Sequence, residues 1–72
     1  MLTPGTYITK YGSEVTIRDK GGVIINFDWF EERGACDDCK PEVDSDDELL
    51  IWECEYCDGG SAKLEPCKPN NL

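Results

Sequence analysis

Along the first third of the chain, apolar and polar residues alternate in short runs separated by turn signals, which predicts antiparallel strands rather than helices. Residues 6–10 (Thr-Tyr-Ile-Thr-Lys) are rich in β-branched and aromatic side chains, and Tyr11-Gly12-Ser13-Glu14 follows as a turn. Residues 15–18 (Val-Thr-Ile-Arg) alternate strictly and should bury one face. Asp19-Lys20-Gly21-Gly22 make a second turn, with glycines free to take positive φ. Residues 23–27 read as a third strand that presents Val23, Ile25 and Phe27 on one side. Three such strands in succession form a β-meander.

At Asp28 the pattern supports two readings. Asp28 can cap a helical turn, with Glu31 completing a capping box three residues on and Gly34 ending it. Alternatively, Trp29 continues the alternation of Val23, Ile25 and Phe27. The favoured reading is a strand fraying into one turn before the first cysteine. On a strand the adjacent Trp29 and Phe30 point to opposite sides, which leaves one of them exposed beside Glu31 and Glu32. Further on, residues 44–48 (Asp-Ser-Asp-Asp-Glu) form a solvated loop. Their alternating acids resemble a calcium loop, but the central glycine and later glutamate of an EF-hand are missing. Leu49-Leu50-Ile51-Trp52 should be a buried strand, Gly59-Gly60 a turn, and residues 61–65 a last strand. Pro66, Pro69 and Asn70-Asn71-Leu72 should fray.

Seventy-two residues predict one domain: a meander over 1–33, a cysteine-bearing part over 34–66, and a tail over 67–72. A chain this short buries roughly 60% of its unfolded surface, so its core needs a staple. Phe27, Trp29, Phe30, Trp52 and Tyr56 are therefore assigned mostly to the core. Charge is unevenly placed. Residues 1–30 carry three acids and three bases; residues 31–58 carry twelve acids against Arg33 and Lys40, a net of −10; residues 59–72 add +1, giving −9 overall. Such a surface disfavours nucleic acid, and its acidity either serves simply to keep a small protein soluble or attracts basic partners. No apolar run approaches the ~20 residues of a membrane span. Residues 1–9 have neither the basic start nor the apolar run of a signal peptide. The expectation is a soluble, cytoplasmic protein in a reducing environment.

The chemistry lies in the cysteines. Cys36-Asp-Asp-Cys39 and Cys54-Glu-Tyr-Cys57 are two C-x2-C pairs separated by fourteen residues. Each puts two thiolates on one tight turn, and the intervening residues 40–53 can fold back as a hairpin. Five cysteines are an odd number, and in a reducing compartment paired C-x2-C turns read as metal ligands rather than disulfides. Four thiolates suit a closed structural Zn2+ site, and there is no histidine to supply a mixed catalytic one. Asp37, Asp38 and Glu55 should push thiol pKa values up, which argues against thiol exchange. Cys67 is left over as a spare ligand, a buried small hydrophobe or a free thiol.

Gly34-Ala-Cys-Asp-Asp-Cys39 and Trp52-Glu-Cys-Glu-Tyr-Cys-Asp-Gly59 resemble the two knuckles of a zinc ribbon. The second knuckle fits well, with an aromatic just before it and a glycine after. The first has Lys40-Pro41 where a glycine is common, so its turn should be less regular. The resemblance implies a small mainly-β fold, the meander packed on a four-cysteine ribbon, with Cys36, Cys39, Cys54 and Cys57 holding one structural Zn2+. Rubredoxin-like iron sites use similar paired turns, so an iron electron carrier is the alternative. A nucleic-acid-binding ribbon comes third, because only Lys10, Arg18 and Lys20 could supply its basic patch.

No residue set combines a nucleophile, a base and an electrophile, so a non-enzyme is expected. The leading function is a protein-interaction module, accessory subunit or inhibitor that docks on a protein with a basic surface. Trp29, Phe30, Glu31, Glu32, Asp44, Asp46, Asp47 and Glu48 are its candidate contacts.

Overall fold

The computed structural model describes residues 2–32 and 34–67. Three short strands, β1 (Gly5–Ile8), β2 (Glu14–Ile17) and β3 (Val23–Asn26), form the expected meander. Three more, β4 (Lys40–Asp44), β5 (Leu49–Glu53) and β6 (Gly60–Lys63), form a second antiparallel sheet. The chain then returns through β7 (Glu65–Pro66), which pairs with β1. The sheets have strand orders β3-β2-β1-β7 and β4-β5-β6. No helix occurs among the described residues, and the protein is a small all-β fold.

Alternation decides which side chains meet. In the first sheet Tyr7, Val15 and Ile25 lie in one row across three strands, with Tyr7 and Val15 buried. Thr6, Thr16 and Ile24 form a row on the opposite face, where the hydroxyls of Thr6 and Thr16 are 3.3 Å apart. In the second sheet Leu50 is flanked by Val43 and Ala62, and Trp52 by Pro41 and Gly60. The Trp52 indole lies across Gly60, where a Cβ would come within 2.8 Å of the ring. Phe27 joins the layers. Its ring centroid is 5.6 Å from Trp52 and 4.8 Å, edge-on, from Trp29. The core thus combines Tyr7, Val15 and Phe27 with Cys39, Leu50, Trp52, Ala62 and Leu64, and the meander packs on the cysteine-bearing sheet.

Several expectations change. The strand ends at Asn26, and Trp29 does not extend it. Instead Asp28 caps one helical turn: its Oδ1 accepts the N–H groups of Phe30 (3.1 Å) and Glu31 (3.2 Å), and its carbonyl accepts that of Glu32 (2.9 Å). Ser13 Oγ anchors the cap by accepting the Asp28 N–H at 2.8 Å. One short acidic side chain satisfies two otherwise orphaned donors, which a continued edge strand would not. Gly34 follows with φ +81°, the conformation expected of a turn's end, while Arg33 lies outside the described residues.

The inward trio on β3 reduces to Ile25 and Phe27. Val23 stays 48% exposed because it sits at the sheet's corner, beside Ile17. The aromatic core is also smaller than expected, since Phe30 is 98% and Tyr56 78% exposed. Pro66 does not fray. It pairs with Tyr7 on an outer strand, where its missing N–H leaves no internal ladder bond unmade. The switch between sheets occurs at Leu64, which is buried and donates its N–H to the Glu48 carbonyl at 2.8 Å. Pro69 and residues 70–72, expected to fray, lie outside the described residues.

Candidate metal centre

The β4–β5 hairpin creates the centre. Lys40 pairs with Glu53 at the hairpin's base, so Cys39 and Cys54, the residues just outside that pair, emerge side by side. All four sulfurs of Cys36, Cys39, Cys54 and Cys57 lie within 4.8 Å of one another. The edges Cys36–Cys39, Cys36–Cys54, Cys39–Cys57 and Cys54–Cys57 measure 3.6, 3.2, 3.4 and 3.1 Å. These exceed by more than an ångström the ~2.05 Å of a disulfide, and all five cysteines are free. Four sulfurs placed ~2.3 Å from one ion would have tetrahedral edges of roughly 3.8 Å. Movements of a few tenths of an ångström would bring the cluster to that size, so the donor set fits a four-coordinate cation.

Backbone N–H groups point at the sulfurs. Cys54 Sγ accepts from Tyr56 (3.4 Å) and Cys57 (3.2 Å), and Cys57 Sγ accepts from Gly59 (3.4 Å). At the first pair Cys39 Sγ accepts from the Cys36 N–H at 3.3 Å, and the turn is closed by Cys39 N–H to the Cys36 carbonyl at 3.0 Å. The second turn depends on its glycine. Gly59 has φ +68°, and a Cβ there would lie 2.5 Å from the Trp52 carbonyl oxygen.

The thiols do not titrate alike. The hydrogen bond from Cys57 lowers Cys54 to about 7, helped by Cys36 and by the N–H groups of Tyr56 and Cys57, against the opposing effect of burial. Its neighbour Cys36 is raised, first by Cys54, and Cys57 is raised for the same reason. At Cys39 the strongest influence is the lowering N–H of Cys36. Burial and the sulfurs of Cys36 and Cys54 nevertheless leave it raised. The expectation that acidic neighbours push the thiols up is therefore wrong for Cys54, which is lowered, and at Cys36, Cys39 and Cys57 the upward shifts come from neighbouring sulfurs and burial. Four sulfurs joined in a ring of S–H contacts form a site in which a cation could replace protons.

Cys67 is not in the cluster. It is exposed, and its N–H donates to the Thr6 carbonyl at 2.9 Å, extending the β1–β7 pairing.

The eight candidate contact residues do not form one set. Trp29 (38% exposed) and Phe30 lie on the capped turn with exposed Glu31. Glu32 faces inward instead, 3% exposed, where the Thr9 hydroxyl donates to its Oε1 while Oε2 has no partner. The helical turn carries it there, so it is not a surface contact. Asp44, Asp46, Asp47 and Glu48 occupy the hairpin tip, four strand steps or roughly 14 Å from the cysteine end. Asp44 Oδ1 accepts the N–H groups of Asp46 and Asp47 at 3.1 and 3.2 Å, so it builds the turn.

Sequence reasoning missed a groove of about 750 Å3 beside the second knuckle. Asp38, Glu42, Glu53, Glu55 and Asp58 line it, together with Lys40, Cys54 and the exposed ring of Tyr56. A usable signal existed. Side chains between the two cysteines of a knuckle must point away when both sulfurs turn inward, and strand alternation puts Lys40, Glu42 and Glu53 on the outer face.

Compared with protein-family models, with curated proteins and with solved structures, the chain matches none. The metal-centre reading therefore stands on the four sulfurs themselves. Among the described residues no helix is long and apolar enough to cross a membrane.

Proposed function

We propose that this chain is a zinc-stapled interaction module, in which one structural Zn2+ held by Cys36, Cys39, Cys54 and Cys57 keeps an acidic face in shape for a basic protein partner. The observation that carries the reading is the sulfur cluster, four donors within 4.8 Å with no imidazole or carboxylate among them. Such a donor set is characteristic of closed sites that supply folding energy and leave no position for a reacting water, so the module is read as a non-enzyme. Zinc is preferred to iron because rubredoxin-like turns usually carry a glycine after both cysteine pairs, and the first pair here is followed by Lys40-Pro41.

The partner reading rests on charge. Five carboxylates against Lys40 line the groove, and the segment that builds it carries a net charge of −10. A lysine or arginine from the partner would find carboxylates and the exposed face of Tyr56 together, a combination that favours cations. Phe30, almost fully exposed on the capped turn, offers an apolar anchor of the kind enriched in interface cores. The experiment has two parts. Metal analysis of the purified chain should find one zinc per chain and no visible absorbance, whereas a coloured iron protein would overturn the assignment. Capture of partners at low and high salt should recover a basic protein that is released by salt. Recovery of nucleic acid would move the reading to the meander's Lys10, Arg18 and Lys20.

A further inference from the structure

The edge strand β3 carries none of the side chains that normally keep an open sheet edge from pairing. It is the outermost strand in the order β3-β2-β1-β7 and pairs, among the described residues, only with β2. Its sequence, Val23-Ile24-Ile25-Asn26, contains no proline and no charge, the usual guards of such an edge. Val23 and Ile24 point to opposite faces, and each is 48% exposed. Alternate N–H and C=O groups along the outer side of the strand are available to a further strand.

We propose that a second copy of this chain docks at β3 and forms a symmetric antiparallel dimer. Charge selects the occupant. Residues 31–58 carry −10, so two copies repel one another through that half, whereas residues 1–30 are neutral and contain β3. The meander is the surface on which two such molecules can approach without opposing charge. The sequence also suits self-pairing. In a continuous sheet, directly opposed residues share a face, so a two-fold axis through Ile24 sets Ile24 against its own counterpart and Val23 against the other copy's Ile25. That register covers both half-exposed side chains in each copy. A β3–β3 ladder of three residues per copy buries far less than the ~1,000 Å2 of a robust interface, so the dimer is weak and concentration-dependent.

Sedimentation velocity on the zinc-loaded full chain tests this. The mass should rise with concentration toward twice the 8.1 kDa of one chain. Added salt should lower the concentration needed, because it screens the repulsion between acidic halves. That sign is opposite to the salt release expected of a basic partner, so the two readings can fail separately. Ile24→Lys should weaken dimerisation at least ~tenfold, since it places two like charges opposite each other. Its zinc content and near-ultraviolet dichroism should remain those of the parent. Independently of any variant, mixed isotope labelling should give contacts between Val23 of one copy and Ile25 of the other. A chain that stays monomeric at millimolar concentration overturns the proposal. So does a dimer unchanged by Ile24→Lys, or one in which those intermolecular contacts are missing.

Discussion

The two C-x2-C turns have the same spacing but are held differently. The second, Cys54–Cys57, leaves the buried strand β5 directly after Trp52 and Glu53 and is closed by N–H groups of Tyr56, Cys57 and Gly59 aimed at its sulfurs. Gly59 takes the left-handed conformation and leaves no room for a Cβ beside the Trp52 carbonyl. The first, Cys36–Cys39, follows the capped turn and has Lys40-Pro41 where the second has Asp58-Gly59. Its closure is the Cys39 N–H on the Cys36 carbonyl, and its anchor is burial, since Cys39 is only 3% exposed. Both turns have backbone closure, but the second depends on a left-handed glycine, whereas the first has a ligand buried in the core. The lesson is that a knuckle can do without its glycine when a ligand is itself part of the core.

The largest test removes what both turns share. Chelation at neutral pH should unfold residues 34–60 at least, because structural zinc contributes on the order of 10–16 kcal/mol that is folding energy as much as binding energy. An amide spectrum unchanged by chelator would sink the structural-zinc reading. Next, Gly59→Ala should cost roughly 1–3 kcal/mol, as the φ is strained for any side chain and the new Cβ meets backbone. Pro41→Ala, the matching change at the first turn, should stay within about 1 kcal/mol by denaturant titration. Equal costs at the two positions would erase the distinction drawn above.

A third test uses the thiols. In metal-loaded protein, mild alkylation near pH 7.5 should modify exposed Cys67 and spare Cys36, Cys39, Cys54 and Cys57, whereas after chelation all five should react, as read by mass spectrometry. The linkage has a definite sign. Cys54, depressed from 9.0 to about 7, supports the fold fully above pH 9, and that support is lost as pH falls through 7. The raised Cys36, Cys39 and Cys57 support it below 9, and their contribution is lost as pH rises through their folded values. These opposing shifts put the best-held apo cluster near pH 9, so metal removal should unfold residues 34–60 less readily there than at pH 7. The smallest effect is expected at Phe30→Ser. Stability should change by no more than about 0.5 kcal/mol, because the side chain is 98% exposed, while partner capture should fall.

Much of this was legible along the chain. The alternation in residues 15–18, the Gly21-Gly22 turn and the apolar run at Leu49–Trp52 each correspond to observed elements, because strand period and turn chemistry are local properties. The cysteine spacing located the centre for the same reason. The segment at Asp28 was not decidable locally, since capping and alternation both fitted. It was settled by Ser13, fifteen residues away, which holds the Asp28 N–H. β7 escaped notice because a two-residue strand carries no period of its own and exists only where β1 offers an edge.

By itself, then, the sequence determined the strand class, the turn positions, the acidic half and four cysteines spaced for one ion. All of these depend on residues near one another in the chain. The tertiary structure alone decided that Glu32 turns inward and that Phe30, rather than Trp29, is the fully exposed ring. It also decided that Cys67 stays out of the cluster and that, of the four clustered thiols, Cys54 alone is lowered by its neighbours. Those outcomes depend on which side of each strand faces the other sheet and on where the hairpin brings distant residues together. No local pattern encodes such distances.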